Sequence, residues 1–253
     1  MLSNVSLNKK YFIGFATAGD GGVDYCVECC LQLIAGGVDI LEIGVPFSDP
    51  VADGPVIQQA SKRALQSGAS MDTALKVASK IRLKSNVPLI LFTYFNPLLQ
   101  KGIAYLDEIK AAGFDAVLIV DLALTMGNDN RQYLDACKKA GLYPILLASP
   151  ASSDARLQMI IQHAEGFIYY ACQKGTTGKK SSLPQDYAAQ INRIRQKTMM
   201  PIAAGFGIAD RDSARLALTY ADGFVVGSAF VDLMGKQVNP EELKKLAQNI
   251  DPR

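Results

Sequence analysis

Eight apolar, β-branched runs recur along the chain at fairly even spacing, and this repetition restricts the possible folds more than any other feature. They are YFIGFAT (Tyr11–Thr17), VDILEIGVPF (Val38–Phe47), PLILFTYF (Pro88–Phe95), AVLIVDL (Ala116–Leu122), LYPILLAS (Leu142–Ser149), GFIYYAC (Gly166–Cys172), PIAAGFG (Pro201–Gly207) and GFVVGSAF (Gly223–Phe230). Each is nearly continuous rather than alternating, the pattern of parallel strands covered on both faces. Between them lie helical patterns such as IAYLDEIKAAG, NRQYLDACKKAG, DARLQMIIQHAEG, YAAQINRIRQK and DSARLALTYADG. Several end in a glycine just before the next run, the expected helix stop. Eight strand–helix units in 253 residues is the count of a (β/α)8 barrel. A doubly wound open sheet is the alternative, but it usually has fewer strands. No linker or break in composition divides the chain, so the expectation is an α/β protein, a (β/α)8 TIM barrel forming one domain over residues 1–253.

Composition narrows the function classes. The chain is 49% apolar, enough for a sizeable core, and its net charge of +2 is spread without a basic patch, which argues against nucleic acid or a membrane surface as partner. No apolar run approaches the roughly 20 residues that span a bilayer. The N-terminal MLSNVSLNKK lacks the apolar stretch of a signal peptide, and five cysteines form no disulfide-like framework. A cytoplasmic location is expected. Cys26, Cys29 and Cys30 fall in VDYCVECCLQLIAGG, an amphipathic helical pattern, and no second Cys or His cluster completes a metal site; they read as packing residues. His163, the one histidine, ends a helical pattern, where a cation is favoured. A Ser-His-Asp triad is therefore not expected, and no metal is.

Two connections are long. The first, between the second and third runs, has room for a loop and two helices. The second, QKGTTGKKSSLPQD, follows the sixth run and is rich in Gly, Lys, Ser and Thr. Both leave the C-terminal ends of strands, the face where barrel active sites lie, and the second is a lid candidate. The stretch LEIGVPFSDPVADGP (Leu41–Pro55) carries the clearest chemistry. Glu42 sits between Leu41 and Ile43, where a core strand should be apolar. Pointing inward near the barrel mouth, it would be desolvated, its pKa raised into the range useful for acid–base work; the plain alternative is a hydrogen-bonded polar residue of the core. Asp53, in the loop that follows, can hang over the same mouth or be a turn residue before Gly54–Pro55. Asp49, before Pro50, ranks as an ordinary turn residue. AAGFGI and VVGSAF end the seventh and eighth runs, where glycines let backbone amides approach an anion, and Gly178 in the sixth connection offers another such donor. The residues alone thus support a barrel enzyme acting on a small phosphorylated molecule through a carboxylate acid–base.

LEIGVPFSDPVADGP also closely resembles the signature of the tryptophan synthase alpha subunit family. FATAGD (Phe15–Asp20), TYFNP (Thr93–Pro97), KGTTG (Lys174–Gly178), AAGFGI and VGSAF follow in family order through nearly the whole chain. The resemblance implies reversible cleavage of indole-3-glycerol phosphate to indole and glyceraldehyde 3-phosphate, with indole passed through a tunnel to a beta subunit. On it, Glu42 matches the catalytic acid–base, Asp53 the carboxylate that binds the indole N–H, and Tyr169 the tyrosine near the glutamate. Phe15, Ile57, Tyr94, Leu122 and Phe206 would line the indole pocket. Gly178, Gly207, Gly227 and Ser228 would hold the phosphate, and Thr177 would be the lid threonine that contacts the aspartate. No cofactor is implied in this chain; pyridoxal phosphate is implied in the beta partner. Loops 49–60 and 93–105 would face that partner in a heterotetramer of two alpha and two beta subunits.

The chain departs from the family at three places. Asp121 leads into LALTMGNDN where the family commonly continues Asp-Leu-Pro, YYACQKG stands where Ser-Arg often precedes the lid, and Val226 occupies a position that is often serine. These departures motivate a competing reading, a catalytically weak alpha subunit that mainly activates its partner. A third, another phosphate-binding barrel such as an indole-glycerol-phosphate synthase or a phosphosugar isomerase, is opposed by the ADGP loop and by the lack of a matching catalytic lysine.

Overall fold

The computed structural model describes residues 9–122, 130–172, 184–205 and 207–253. Eight parallel strands close into a barrel in chain order: β1 (Tyr11–Thr17), β2 (Ile40–Gly44), β3 (Leu89–Thr93), β4 (Ala116–Ile119), β5 (Tyr143–Ala148), β6 (Ile168–Ala171), β7 (Ile202–Gly205) and β8 (Gly223–Val226). The ring is completed by β1 and β8, with Tyr11 opposite Gly223 and Gly14 opposite Val226. Helices surround it: α1 (Val23–Ala35), α2 (Pro55–Gln66), α3 (Met71–Arg82), α4 (Phe95–Lys101), α5 (Tyr105–Ala111), α6 (Arg131–Lys139), α7 (Asp154–His163), α8 (Tyr187–Arg195), α9 (Arg211–Leu218), α10 (Ser228–Gly235) and α11 (Glu241–Ile250). This is a TIM barrel, as the run count anticipates. Among the described residues no helix is long and apolar enough to cross a membrane.

Strand side chains alternate between two cores. One set, including Ile13, Ile40, Ile90, Leu118, Ile145 and Phe167, fills the barrel; the other, including Phe12, Leu41, Leu91 and Phe224, packs under the helices. Because both faces are buried, the strands read as unbroken apolar runs. Cys26, Cys29 and Cys30 are fully buried on the barrel-facing side of α1, as packing residues should be. The glycines that close helical patterns at 37, 113, 141 and 166 all adopt positive φ, a left-handed stop that other residues take at a cost.

The strands end sooner than the apolar runs. Phe95 begins α4, with its amide held by the Asp121 carboxylate at 2.6 Å, and Ser228–Phe230 belong to α10 rather than to the eighth strand. The apolar character persists because the first turn of α10 is itself packed into the core, with Phe230 fully buried against Phe12.

At the N-terminal ends of the strands one arrangement occurs three times. Asp39, Asp115 and Asp222 each immediately precede an even-numbered strand. Each uses Oδ2 to accept from the amide of the preceding odd strand, from Phe12 at 2.9 Å, Leu89 at 3.0 Å and Ile202 at 2.9 Å. The same oxygen is paired with an arginine, Arg253, Arg82 and Arg195 respectively. These clamps tie neighbouring strands together at the face a TIM barrel reserves for stability.

Candidate active site

The opposite face opens into a cavity of about 370 Å³. Its walls are the inward residues nearest the strand ends: Phe15 of β1, Glu42 of β2, Phe92 of β3, Val120 after β4, Leu147 and Ser149 of and after β5, Tyr169 and Ala171 of β6, Gly205 and Gly207 of and after β7, and Val225 of β8, with Gly227 and Ser228 leading into α10. Asp53 and Ile57 enter from the loop after β2 and from α2. Most of this surface is apolar, with a few polar groups converging on it, the composition of a small-molecule site.

Glu42 lies between Phe15 and Ile90 in the strand register and is only 1% exposed. Neither carboxylate oxygen has a hydrogen-bond partner among the described residues. The plain alternative, a hydrogen-bonded core acid, is therefore not what the structure presents. Desolvation alone pushes its pKa up to about 8, so the side chain is largely neutral and carries a transferable proton at physiological pH.

Asp53 is held differently. A turn joins its amide to Pro50 O at 3.0 Å, Pro55 opens α2 with its ring at the first helical position, and Gln58 on that helix donates to Asp53 O at 2.9 Å. Its carboxylate accepts from the Tyr94 hydroxyl at 3.1 Å. Burial pushes its pKa up to about 6, with the Tyr94 hydrogen bond working in the other direction. Between about pH 6 and pH 8 the two carboxyls thus occupy opposite states, Glu42 protonated and Asp53 ionised, the separation of roles on which paired-carboxylate sites depend. Tyr169 lies near both: burial first, then the charges of Glu42 and Asp53, raise its phenol far above the usual value and keep its proton in place. Asp49 is solvent-exposed, consistent with a turn residue.

Two glycines make room for these groups. A Cβ at Gly44 would collide with the ring of Phe15, and one at Gly205 with the hydroxyl of Tyr169. Near β8, the first helical returns of α10 are those of Phe230 and Val231 to Gly227 O, each at 3.0 Å. The amides of Ser228 and Ala229 precede that first turn, and helix geometry leaves such groups free to meet an anion.

Of the residues singled out from sequence, Phe15, Glu42, Asp53, Ile57, Tyr169, Gly207, Gly227 and Ser228 converge on this one cavity. Tyr94 and Leu122 are buried but are not among its lining residues: Tyr94 binds the Asp53 loop, and Leu122 packs into the outer core. Thr177, Gly178 and Phe206 lie outside the described residues, as do the family departures in 123–129 and at the start of the sixth connection. Sequence reasoning missed Phe92, Val120, Leu147, Ser149, Ala171, Gly205 and Val225. They are alternate residues toward the C-terminal ends of the strands, but with both strand faces apolar only the register shows which alternate set faces inward.

Comparison with known proteins agrees with this fold. The family model described as tryptophan synthase alpha chain matches residues 2–251. The tryptophan synthase alpha chain of Chlamydia caviae is 56% identical over 247 residues, covering 97% of this chain and 96% of that one. Among solved structures, Mycobacterium tuberculosis tryptophan synthase superposes with a TM-score of 0.88 at 30% identity, covering 96% of this chain and 92% of the other. A chain from the tryptophan synthase a2b2 complex of Pyrococcus furiosus gives 0.87 at 32%, covering 96% and 98%. The chain belongs to the tryptophan synthase alpha chain family.

Proposed function

We propose that this chain is the lyase subunit that cleaves indole-3-glycerol phosphate reversibly to indole and glyceraldehyde 3-phosphate. The observation that carries this reading is Glu42, a buried and largely neutral acid with no hydrogen-bond partner among the described residues, facing the same cavity as an ionisable Asp53. The indole ring lies against Phe15 and Ile57, and its N–H donates to the Asp53 carboxylate. Glu42 gives its proton to ring carbon 3. The resulting positive charge, centred on the ring nitrogen, is stabilised by Asp53, and the ring becomes an electron sink. The ionised Glu42 then takes the proton of the hydroxyl on the side-chain carbon bonded to the ring. That oxygen forms a carbonyl, the carbon–carbon bond breaks, and its electrons restore the aromatic ring. Glu42 ends protonated, ready for another turnover. Tyr169, which keeps its proton, is a donor beside Glu42. Backbone amides at Gly207, Gly227 and Ser228 hold the phosphate, and Gly178 and Thr177 complete the family assignment on the sixth connection.

The chain's own residues supply all of this chemistry, so no cofactor is assigned to it; pyridoxal phosphate belongs to the beta subunit, which would receive the indole. Docking of that subunit on loops 49–60 and 93–105 in a heterotetramer is supported by the exposed apolar side chains there: Val51 is 64% exposed and Leu99 47%. Cytoplasmic location and a single domain over residues 1–253 accompany the same proposal.

The test is indole release from indole-3-glycerol phosphate by the purified chain, alone and with the beta subunit. Release should rise with the partner and follow a bell in pH with limbs near 6 and 8. Enhanced beta activity without any indole release would overturn the lyase assignment and leave an activating subunit.

A further inference from the structure

Asp53 sits on a loop, and a loop carboxylate can act only if something aims it. Its backbone is fixed from the α2 side by Gln58 and by the turn to Pro50. Its side chain is fixed from the other side of the loop, by a residue at the end of β3. The Tyr94 hydroxyl donates to Asp53 Oδ2 at 3.1 Å while accepting the amide of Ala52 at 3.0 Å. The ring that carries this hydroxyl is itself held, stacked on Phe47 with centroids 5.0 Å apart and planes 30° apart. Immediately after it, the Phe95 amide is tied to Asp121 at 2.6 Å. Ring, loop and carboxylate thus form one braced unit, in which the hydroxyl grips the catalytic loop at two successive residues.

We propose that Tyr94 is a positioning residue, whose hydroxyl both aims the Asp53 carboxylate and holds it in its ionised, accepting form. The inference rests on the reading of Asp53 as the acceptor of the substrate N–H. With Oδ2 engaged by Tyr94, the ligand's N–H is directed to Oδ1, so the phenol also fixes which oxygen binds. A hydrogen bond to a carboxylate stabilises the charged form. It here opposes the desolvation that pushes Asp53 upward. Among the described residues, the neighbouring titratable groups are Glu42 of β2 and Tyr169 of β6, with Asp121 after β4 beside Tyr94. All three are acidic and give Asp53 no opposite charge. Tyr94 can only donate to Asp53, because burial, with Asp53 beside it, raises its own phenol well above the usual value.

The experiment uses the full chain in three forms: unaltered, Tyr94→Phe, and with 3-fluorotyrosine at position 94. The Asp53 carboxyl is titrated by carbon-13 NMR, and indole release is followed against pH. Loss of the hydroxyl should raise the Asp53 midpoint by about one pH unit, a tenfold change in proton affinity. The more acidic fluorophenol should lower it. The acid limb of kcat/KM should move with the NMR midpoint while the alkaline limb, set by Glu42, stays. A bell that merely falls in height with both limbs unmoved, or an Asp53 midpoint equal in all three forms, overturns the proposal. If Tyr94→Phe does not fold, the fluorotyrosine chain alone decides by the direction of its shift. An NMR shift in a chain that never releases indole would remove the lyase reading and leave the Tyr94–Asp53 coupling standing.

Discussion

The two ends of this barrel treat carboxylates in opposite ways. At the N-terminal end, Asp39, Asp115 and Asp222 each have an arginine and a strand amide. At the C-terminal end Glu42, more deeply buried than Asp39 or Asp115, has no partner among the described residues. A fold selected only for stability would satisfy or remove such a group, since an unpaired buried polar atom costs on the order of 1–3 kcal/mol. On the proposed function, the C-terminal end is kept poised for chemistry while the aspartates of the N-terminal end hold the frame that permits it. The difference also separates what each residue's removal should do.

Glu42→Gln should give the largest effect, a fall in indole release of about a thousandfold, within the range expected for loss of a general acid–base. Its stability should move the other way. Glu42 titrates near 8 in the folded chain against 4.5 for an ordinary glutamate. Below pH 4.5 both folded and unfolded chains carry the proton, and ionisation adds no penalty. Above it the unfolded chain releases the proton and the folded chain keeps it, so stability falls by about 1.4 kcal/mol per pH unit until about pH 8. Glutamine cannot ionise, and the variant's advantage should therefore widen from pH 4.5 to 8 in urea titrations. An advantage that stays flat with pH would mean that Glu42 is charged in the fold, and the contrast between the two ends would collapse.

The reverse pattern is expected at the other end. Asp222→Ala leaves Arg195 unpaired and frees the Ile202 amide, which should cost about 3 kcal/mol. Thermal denaturation should shift by roughly 6–12 °C. Indole release by the folded fraction should remain within about twofold. A large loss of turnover at unchanged stability would show that the frame is not separate from the chemistry.

How much of this is legible in sequence follows from range. The strands are visible because burial on both faces makes each a continuous apolar run, and Glu42 is visible because it interrupts one. The same double burial hides which residues face inward, so Phe92 and Leu147 cannot be told from Leu91 and Leu146 without the register. It also blurs strand ends, as at Phe95 and Ser228. The clamps are illegible for another reason: Arg82 meets Asp115 across 33 positions and Arg253 meets Asp39 across 214. The TYFNP motif brings Tyr94 to notice through the family resemblance, but its grip on Asp53, 41 positions away, is not legible there.

Space, rather than charge, gives the next smaller effect. Gly205 admits the Tyr169 hydroxyl, and a Cβ there would strike it. Gly205→Ala should displace the phenol and lower kcat about tenfold, less than loss of Glu42 because the proton donor itself remains. Combining it with Tyr169→Phe sharpens the test. If the two losses do not add, the methyl acts through the hydroxyl; if they add in full, it acts through the Tyr169 ring, which the Phe variant keeps, or through the cavity wall.

The smallest expected effect tests whether the three clamps are equivalent. Arg253 holds Asp39 and Asp251 and donates to the carbonyls of Lys10 and Gly37, at 2.9 and 2.8 Å. Its side chain retains solvent contact, being 21% exposed. Arg195 instead meets Asp222, whose side chain is only 6% exposed. When Arg253 is removed, Lys9 still pairs with Asp39 at 3.0 Å and water can reach the carboxylate, so Arg253→Ala should cost only about 1 kcal/mol. Removing Arg195 leaves a desolvated carboxylate and should cost more. Equal losses would mean that arginine's hold on the strand ends, and not burial of the aspartate, sets the strength of each clamp.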